Sequence, residues 1–324
     1  MHARDIYGLI RDKMEATERE IRRELRSDFP IVAQMGAYIA ESGGKRIRPA
    51  LLCLSAAACG YRGDRDFRYG VVFEFVHTAT LIHDDIIDKS EMRRGRPVMH
   101  DRFGTTLSIL FGDLLFNTGM DIALRYDDLR ILRLISSATA RMIEGEIVQS
   151  ERNYSVDVGL EDYMDLIQRK TAYLFSCCAQ AGAMLAAADE ETEKALAGYG
   201  LDLGIAFQLI DDYFDYSSTP ERIGKPVGSD LDEGKVTYPL LVLLERAGRD
   251  ARRLVMGIFE RRGATDQELK KLLRLLDEHK ALEETIAVAR GYAERAIETA
   301  ATLSPSKYKR ALEKLPVFVV ERDK

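Results

Sequence analysis

The sequence has no tryptophan, few prolines (8) and only 4 cysteines among 324 residues. It contains no C-x-x-C pair, so a disulfide framework or a cysteine-ligated metal site is disfavoured. No run reaches the roughly 18 apolar residues of a membrane span, and the charged N-terminus lacks an apolar signal region. These absences predict a reduced, cytoplasmic protein without a transmembrane segment, with buried free thiols at Cys53, Cys59, Cys177 and Cys178.

Composition and net charge limit the class of function. Hydrophobic residues make up 46% of the chain and charged residues 31%, which is enough apolar material for a sizeable core. The formal net charge of −6 argues against nucleic acid as the main partner. A local cluster of cations could still bind a small anion, because the distribution of charge matters more than its sum.

Helical periodicity runs through most of the chain. Leu129 and Thr171 each begin a long helical stretch, and the second is rich enough in alanine to lie deep in a core. Residues 266–302 place an apolar stripe on one helix face, formed by Leu269, Leu272, Leu273 and Leu276. No alternating strands and no G-x-G-x-x-G motif are present, so a nucleotide-binding α/β domain is disfavoured. The prediction is one all-α domain over residues 1–324.

Breakers of the helical pattern are few, and they mark three irregular regions. Residues 60–64 predict a turn and residues 150–159 predict a loop. The longest irregular region covers residues 217–239. Loops of that length inside a compact domain are usually functional.

Two aspartate clusters share the spacing Asp-Asp-x-x-Asp. Chance alone produces about one mixed acidic triple at this spacing in a chain of 324 residues with 53 acidic residues, but aspartate-only triples are rarer. On a helix, the first and last aspartates of a cluster lie on one face, a turn apart, where they repel each other unless a cation compensates. Mg²⁺ prefers one or two such carboxylates together with phosphate oxygens. The candidate ligands are Asp84, Asp85, Asp88, Asp211, Asp212 and Asp215.

The residues around the clusters strengthen this interpretation. His77 shares the helix face of the first cluster, and Gln208 precedes the second by three residues. Arginine and lysine are the usual partners of phosphate oxygens. They are concentrated near the clusters at Lys45, Arg46, Arg48, Arg93, Arg94, Lys225 and Lys235. Together these residues predict a site for a magnesium–diphosphate substrate.

Two residues next to these candidates are open to other interpretations. His83 adjoins the aspartates but points about 100° away from Asp84, so it is predicted to be a packing residue. Glu74 lies three residues before His77, where it could orient the imidazole or form a helix salt bridge.

Eight ordered blocks resemble those of the trans-polyprenyl diphosphate synthases, the head-to-tail isoprenyl diphosphate synthases. They are GGKRIRP (43–49), HTATLIHDDIID (77–88), RRG (93–95), GD (112–113), EGE (144–146), KT (170–171), FQLIDDYFD (207–215) and GKPVGSDLDEGKVTYP (224–239). The two residues between the paired and final aspartates of the first cluster are similar to those of bacterial long-chain members such as the octaprenyl synthases. The resemblance implies a homodimer of single bundles, each of mostly antiparallel helices around a deep central cavity.

The resemblance also implies a role for each matching residue. Asp84, Asp88 and Asp211, with Asp215 less directly, would hold Mg²⁺ on an allylic diphosphate. Arg93, Lys170 and Lys235 would contact that diphosphate, with Lys225 nearby. Thr171 and Gln208 would lie near the developing allylic cation. The diphosphate of isopentenyl diphosphate would be held by Lys45, Arg48, His77 and Arg94.

Product length follows from the helix below the first cluster. Ala79 precedes Asp84 by five residues, about 7.5 Å along the helix axis. With alanine there and Thr80 beside it, the path of a growing tail is open. Phe75 or Val72 on the same face is the candidate floor. The expectation is a long product of about eight isoprene units by resemblance, made from farnesyl diphosphate and used as a quinone side chain.

Several alternatives stay open. A class I terpene cyclase or head-to-head synthase has the same helical fold, but its second motif usually mixes Asn, Ser or Thr and Glu. A medium-chain synthase of the geranylgeranyl type differs only in product length. A subunit of a heteromeric synthase is the third possibility. Intact aspartates argue against a non-catalytic subunit, but they do not test dependence on a partner.

Overall fold

The computed structural model describes residues 3–217 and 227–321, and they form helices almost throughout. The first helices are α1 (Ala3–Gly8), α2 (Arg11–Glu24), α3 (Pro30–Glu41), α4 (Ile47–Ala58) and α5 (Arg65–Ile87). After a hairpin of β1 (Met92–Arg93) and β2 (Arg96–Pro97) come α6 (Met99–Phe103), α7 (Thr105–Leu124), α8 (Leu129–Arg152) and α9 (Leu160–Ile167). A π-helical turn, Gln168–Ala172, leads into α10 (Tyr173–Leu185) and α11 (Glu190–Ser217). The remaining helices are α12 (Ser229–Asp232), α13 (Tyr238–Arg246), α14 (Gly248–Arg261), α15 (Asp266–Glu278), α16 (Ala281–Ala301) and α17 (Lys307–Val320).

The all-α prediction is confirmed, with local differences. The stretch 266–302 is two helices, because Lys280 takes a positive φ of 54° between them. Within its apolar stripe, Leu272 and Leu276 are fully buried. The loop predicted to begin at residue 150 begins after Arg152. The strands of the described residues are the two-residue pair β1–β2, which is antiparallel and forms no run of alternating strands.

The described residues divide into two compact units. The first contains the chain up to Thr139, with Leu174–Gly200 and Ile297–Leu315. The second contains Ala140–Tyr173, Leu201–Ala296 and the chain from Pro316. The first aspartate cluster therefore belongs to one unit and the second cluster to the other.

The core of the first unit depends on close contact between α10 and α4. A Cβ atom on Gly182 would lie 2.6 Å from the carbonyl oxygen of Leu52 and 2.7 Å from the backbone nitrogen of Ala56. Only glycine allows this approach, because the neighbouring atoms are backbone and cannot move aside. The alanine-rich stretch is as deeply buried as predicted: Ala179, Ala181 and Ala183 have no exposed surface.

The free cysteines follow the same burial. Cys53, Cys177 and Cys178 are buried, whereas Cys59 is half-buried, and none forms a disulfide. Three of the four predicted buried thiols are thus confirmed.

Helix α7 packs along α5 in the same unit. A Cβ on Gly112 would collide with the imidazole of His83, and one on Gly119 would lie 3.5 Å from the carbonyl oxygen of Val72. Among the described helices, α7 is the one whose length and composition would suit a membrane span. The glycine contacts show that one of its faces packs against α5.

The second unit has its own apolar core. Helices α9, α11, α13, α14 and α15 contribute the buried side chains Tyr163, Ile205, Leu209, Leu240, Leu243, Val255, Ile258, Phe259, Leu272 and Leu276. Tyr163 is one of three buried tyrosines in this core, with Tyr216 and Tyr238.

We expect Gly182→Ala to lower the free energy of unfolding by about 1–3 kcal/mol, because the added methyl overlaps backbone atoms of α4. Chemical denaturation followed by circular dichroism measures the change. Gly198→Ala is the matched control, since Gly198 lies within α11 and a Cβ atom added there would meet nothing within 4 Å. That variant should gain roughly 0.5–1 kcal/mol from helix propensity. Equal effects of the two substitutions would contradict the packing argument.

Candidate active site

The first aspartate cluster lies at the C-terminal end of α5. Asp88 caps this helix, with its N–H donating to the carbonyl oxygen of Asp84 at 2.8 Å. Asp84 and Asp88 are half-buried, and the turn between them places both on one side of the helix. Their separation suits two carboxylates that share a cationic ligand.

Asp85 has a different environment from its neighbours. It is 5% exposed, and its two oxygens accept from Nε of Arg93 at 2.8 and 2.9 Å. A second nitrogen of the guanidinium lies 2.7 Å from Asp85. This fork-to-carboxylate pairing is a strong, directional interaction. In this arrangement Asp85 orients Arg93, which differs from the metal-ligand role expected from the sequence.

The motif Arg93-Arg94-Gly95 forms the tip of the β1–β2 hairpin. Arg94 and Gly95 are its two loop residues, with positive φ angles of 54° and 73°. Two-residue hairpins with positive φ at both positions are the type I′ class, which explains the glycine. The turn carries Arg94 to the glycine loop before α4, where its guanidinium donates to the carbonyl oxygen of Gly43.

The three cationic residues at positions 45, 46 and 48, in and next to the loop before α4, have different partners. Arg46 takes a positive φ of 49° and is buried, where it pairs with Glu18 at 2.7 Å and Glu74 at 2.6 Å. Glu74 thus forms a salt bridge, but with the loop before α4 and not within its own helix as the sequence suggested. Arg46 is therefore a structural ion pair, and burying it without these two carboxylates would be costly.

Lys45 and Arg48 flank this buried arginine. The carbonyl oxygen of Lys45 accepts from the hydroxyl of Tyr7 at 2.5 Å, which ties α1 to the loop. The guanidinium of Arg48 stacks 4.6 Å from the ring centre of Phe175. Stacking fixes the plane of the guanidinium while leaving its edge for hydrogen bonding.

His77 lies among these cations. Burial lowers its pKa well below the ordinary value, and the charges of Arg48, Arg94, Arg93 and Arg46 lower it further. The imidazole is consequently neutral near pH 7 and can donate one hydrogen bond without adding charge. The glycine loop and the hairpin thus bring their arginines close to the neutral imidazole that α5 contributes, as an anion site requires.

His83 is the packing residue that the sequence predicted. Its Nε2 lies 3.2 Å from the carbonyl oxygen of Ile109 and 3.6 Å from Asp113. Gly112 provides the space for the ring, which accounts for the Gly112-Asp113 block on α7.

The second cluster begins with Asp211, which is half-buried on α11, followed by the buried Asp212. Both oxygens of Asp212 are occupied by protein donors. Oδ1 accepts from Nε2 of Gln208 at 2.9 Å, and Oδ2 accepts from the hydroxyl of Tyr163 at 2.6 Å and the N–H of Tyr238 at 3.1 Å. Burial and the nearby Asp230 raise the pKa of Asp212 to about 7, while the three donors favour its ionised form.

The carboxylate of Asp215 is also buried and hydrogen-bonded to protein groups. Its Oδ1 accepts from the hydroxyl of Ser229 at 2.9 Å, and its carbonyl oxygen accepts from the N–H of Gly228. Burial, followed by the charge of Asp230, raises its pKa well above the ordinary value. Asp215 therefore anchors the start of α12 to α11.

The π-helical turn Gln168–Ala172 carries Lys170 and Thr171. Such turns are frequent at functional sites, because the extra residue redirects side chains. Two glycines allow it to be packed closely. A Cβ on Gly204 would lie 2.6 Å from the Cα of Ala172, and one on Gly145 would lie 3.0 Å from the Cβ of Arg169.

The two side chains of this turn have defined partners. Lys170 forms an ion pair with Glu146 at 2.5 Å and donates to Gln149 at 3.3 Å. The hydroxyl of Thr171 donates to Oε1 of Gln208 at 2.8 Å. The blocks EGE, KT and FQLIDDYFD, which are far apart in the sequence, therefore meet within the second unit.

The long segment after α11 is only partly described. Lys225 lies outside the described residues. Lys235 is largely buried and pairs with Glu233 at 2.6 Å. In the described part of the segment, from residue 227 onward, the helix α12 forms where the sequence predicted irregular structure.

The predicted product-length residues line α5 below the first cluster. Ala79 and Phe75 are buried, and the hydroxyl of Thr80 donates to the carbonyl oxygen of His77 at 2.8 Å. Gly119 of α7 would place a Cβ 3.5 Å from the Cβ of Phe75. Helices α5 and α7 are thus in contact at the depth of the predicted floor.

Sequence reasoning missed the residues that support the site from a distance. Tyr163, Tyr7 and Glu18 lie 49, 38 and 28 residues from their partners Asp212, Lys45 and Arg46. No local spacing signals such contacts, so only the fold reveals them.

The donor set fits magnesium held together with a diphosphate. Within the described ranges, no group of three or more His, Cys, Asp or Glu side chains forms a metal cage by itself. Mg²⁺ commonly uses one or two carboxylates and completes its shell with water and phosphate oxygens. Asp84 and Asp88, close in sequence to Arg93 and Arg94, offer such a set.

Comparison with known proteins identifies the family. The family model for polyprenyl synthetase matches residues 29–276. The octaprenyl diphosphate synthase of Haemophilus influenzae is 37% identical over 319 residues, which cover 98% of this chain and 97% of that protein. Component 2 of the heptaprenyl diphosphate synthase of Bacillus subtilis is 31% identical, covering 98% of this chain and 90% of that protein.

A solved structure agrees with these sequences. The polyprenyl synthase of Caulobacter crescentus, complexed with calcium and isoprenyl diphosphate, superposes with a TM-score of 0.95 at 33% identity. The match covers 99% of this chain and 98% of that one. The fold is therefore the all-α isoprenoid synthase fold that the sequence predicted. The chain belongs to the polyprenyl synthetase family and is a trans-prenyltransferase.

Proposed function

We propose that the chain condenses an allylic diphosphate, farnesyl diphosphate first, with successive isopentenyl diphosphates. The product is a long all-trans polyprenyl diphosphate of about eight isoprene units, as the name of the Haemophilus relative suggests. The observation that carries the proposal is the convergence of Arg48, Arg93, Arg94 and neutral His77 in the unit that holds Asp84 and Asp88.

The division of labour among the cations follows the family resemblance of the blocks that carry them. Lys45, Arg48, His77 and Arg94 would bind the diphosphate of isopentenyl diphosphate. Arg93, Lys170 and Lys235, with Lys225, would bind the allylic diphosphate. Arg93, Lys170 and Lys235 are each held by a carboxylate, Asp85, Glu146 or Glu233. Those carboxylates keep the side chains ordered before substrate arrives.

The aspartates divide in a similar way. Asp84, Asp88 and Asp211 would hold Mg²⁺, because they are the half-buried members of the two clusters. Asp85, Asp212 and Asp215 are buried and accept bonds from protein donors. Mg²⁺ would supply positive charge that stabilises the departing diphosphate. The Caulobacter complex with calcium and isoprenyl diphosphate supports a divalent ion at such a site in that relative.

The protein's own side chains complete the chemistry. Arginine and lysine side chains stabilise negative charge as the allylic C–O bond breaks. The oxygens of Thr171 and Gln208 would lie towards the developing cation. The double bond of isopentenyl diphosphate then attacks, and the released pyrophosphate can accept the proton that leaves. No protein base is required.

Two related alternatives remain for the assay to decide. The Bacillus relative is named component 2 of its synthase. The first alternative is therefore that this chain is active only together with a second subunit. A geranylgeranyl-type product is the other. A terpene cyclase is less supported, because both aspartate motifs and the lysine at 235 match chain-elongating enzymes.

Self-association is supported by an exposed stripe on α7. Leu107, Leu110 and Leu114 are 40%, 58% and 42% exposed and recur at helical spacing on one face. A contiguous apolar stripe on a folded unit commonly marks an interface. A homodimer paired through α7 is therefore part of the proposal. A cytoplasmic location and use of the product as a quinone side chain stay predictions.

The purified protein, given Mg²⁺, farnesyl diphosphate and labelled isopentenyl diphosphate, should release a polyprenyl diphosphate of about eight units. Chelation by EDTA should abolish turnover. Asp84→Asn should lower kcat on the order of 10²–10³-fold, because one carboxylate of the metal site becomes neutral. Asp64→Asn, an exposed aspartate at the start of α5, is the control. A hydrocarbon product would point to a cyclase, and no product without a second protein to a heteromeric enzyme.

Ala79→Tyr should shift the products to shorter chains, since the ring would fill the space below the first cluster. The first condensation should slow by less than about tenfold, because the diphosphate sites are untouched. Sizing of labelled products by chromatography measures both effects. Ala79→Ser changes little volume and should keep the wild-type distribution. An unchanged distribution in a folded Ala79→Tyr protein would rule out this chain-length role.

Leu110→Glu should convert the dimer to a monomer, because it puts a charge in the apolar stripe of α7. Light scattering after size exclusion gives the mass. Leu160→Glu alters another exposed leucine, on α9 and 55% exposed, and should leave the mass unchanged. A monomeric wild-type protein would contradict the dimer.

A further inference from the structure

We propose that Tyr163 is a positioning residue for prenyl transfer, acting through Asp212 on Gln208 and Thr171. This inference rests on the proposed function. Tyr163 belongs to none of the eight sequence blocks. The folded structure connects it to the site through a contact with Asp212. Its hydroxyl donates to Oδ2 of Asp212 at 2.6 Å.

The four side chains form one continuous chain of hydrogen bonds. The hydroxyl of Thr171 donates to Oε1 of Gln208 at 2.8 Å, and Nε2 of Gln208 donates to Asp212 at 2.9 Å. Tyr163 closes the chain at the other oxygen of Asp212. All four residues belong to the second unit.

The direction of each bond follows from the donors around Asp212, because the Gln208 amide nitrogen, the Tyr163 hydroxyl and the Tyr238 N–H all donate to its oxygens. With the amide NH₂ of Gln208 held by Asp212, the amide oxygen is turned towards Thr171. That oxygen in turn accepts the one hydrogen bond that the Thr171 hydroxyl can donate. The remaining lone pairs of Thr171, which suit a neighbouring cation, are left for the reaction. One buried carboxylate thereby sets the orientation of two groups proposed to lie near the allylic cation.

Tyr163 is needed because of where Asp212 lies. Asp212 is 2% exposed and Tyr163 is also 2% exposed, packed among apolar side chains such as Ile167 and Leu209. When a buried carboxylate oxygen loses a hydrogen-bond donor, the cost of removing that oxygen from water is no longer offset. Without the hydroxyl, Oδ2 would keep only the N–H of Tyr238. The carboxylate could then rotate, and Gln208 would lose its fixed orientation.

The same bonds explain why Asp212 differs from Asp211 next to it. Three donors already fill its oxygens, so coordinating a metal would break the network that orients Gln208. Asp212 thus accepts hydrogen bonds from three residues. Two of these, Gln208 and Tyr238, lie in the family blocks, and Tyr163 does not.

The test compares Tyr163→Phe with Tyr199→Phe. Tyr199 is an equally buried tyrosine whose hydroxyl donates to the carbonyl oxygen of Leu312 at 2.7 Å, in the other unit. Each substitution removes one buried hydroxyl, so both should lower the melting temperature to a similar degree. Steady-state kinetics with farnesyl and isopentenyl diphosphates then separates positioning from stability.

We expect Tyr163→Phe to lower kcat by about tenfold, with the KM for isopentenyl diphosphate changed less than about twofold. Tyr199→Phe should leave both constants near wild type. Gln208→Ala should lower kcat at least as far. The double variant Tyr163→Phe/Gln208→Ala should match Gln208→Ala alone, because both substitutions interrupt one chain of bonds.

Three results would overturn the proposal. They are a wild-type kcat in Tyr163→Phe, equal losses in Tyr163→Phe and Tyr199→Phe, or losses that multiply in the double variant. If the wild-type protein does not elongate allylic diphosphates at all, both the proposed function and this role of Tyr163 are contradicted. An active wild type with an unaffected Tyr163→Phe removes the role alone.

Discussion

A charge inside a protein must be paired, and both aspartate clusters are organised around that constraint. Asp85 is buried and meets the guanidinium of Arg93, whereas Asp212 is buried and meets three neutral donors. Arg46 follows the same rule with Glu18 and Glu74. Taking any of these charges out of water costs several kcal/mol unless partners are present. Each buried charge therefore fixes its partners, and through them the cations and polar groups of the site.

The glycines make this pairing geometrically possible. The π-helical turn with Lys170 and Thr171 can approach Gln208 because Gly204 has no side chain to hold the segments apart. The hairpin can bring Arg94 over the loop before α4 because Gly44 leaves room for the guanidinium. The same reasoning explains why His83 faces α7 at Gly112. Close approaches that glycine permits, to backbone at Gly204 and to side chains at Gly44 and Gly112, therefore help to decide which polar groups meet.

Much of this architecture was accessible from the sequence. Helical periodicity gave the fold class, and the alanine-rich stretch from Thr171 gave part of the core. The spacing of the aspartates, with the arginine pair and the glycine loop, indicated a magnesium–diphosphate site. Boundaries were less accurate: α8 extends to Arg152, and a break at Lys280 separates α15 from α16. Positive φ at a lysine is not signalled by periodicity, because a helical pattern can continue across a one-residue break.

The sequence by itself determined which residue types occur at which spacing, and therefore the family, the fold class and the candidate ligands. It did not distinguish Asp84 from Asp85, or Arg46 from Arg48, because neighbours in a motif have the same chemistry. Only the tertiary structure separated them, since the burial of a side chain depends on residues far away in the chain. Tyr163 is the clearest case. Its hydroxyl meets Asp212 only because the fold brings α9 to α11 and buries both side chains.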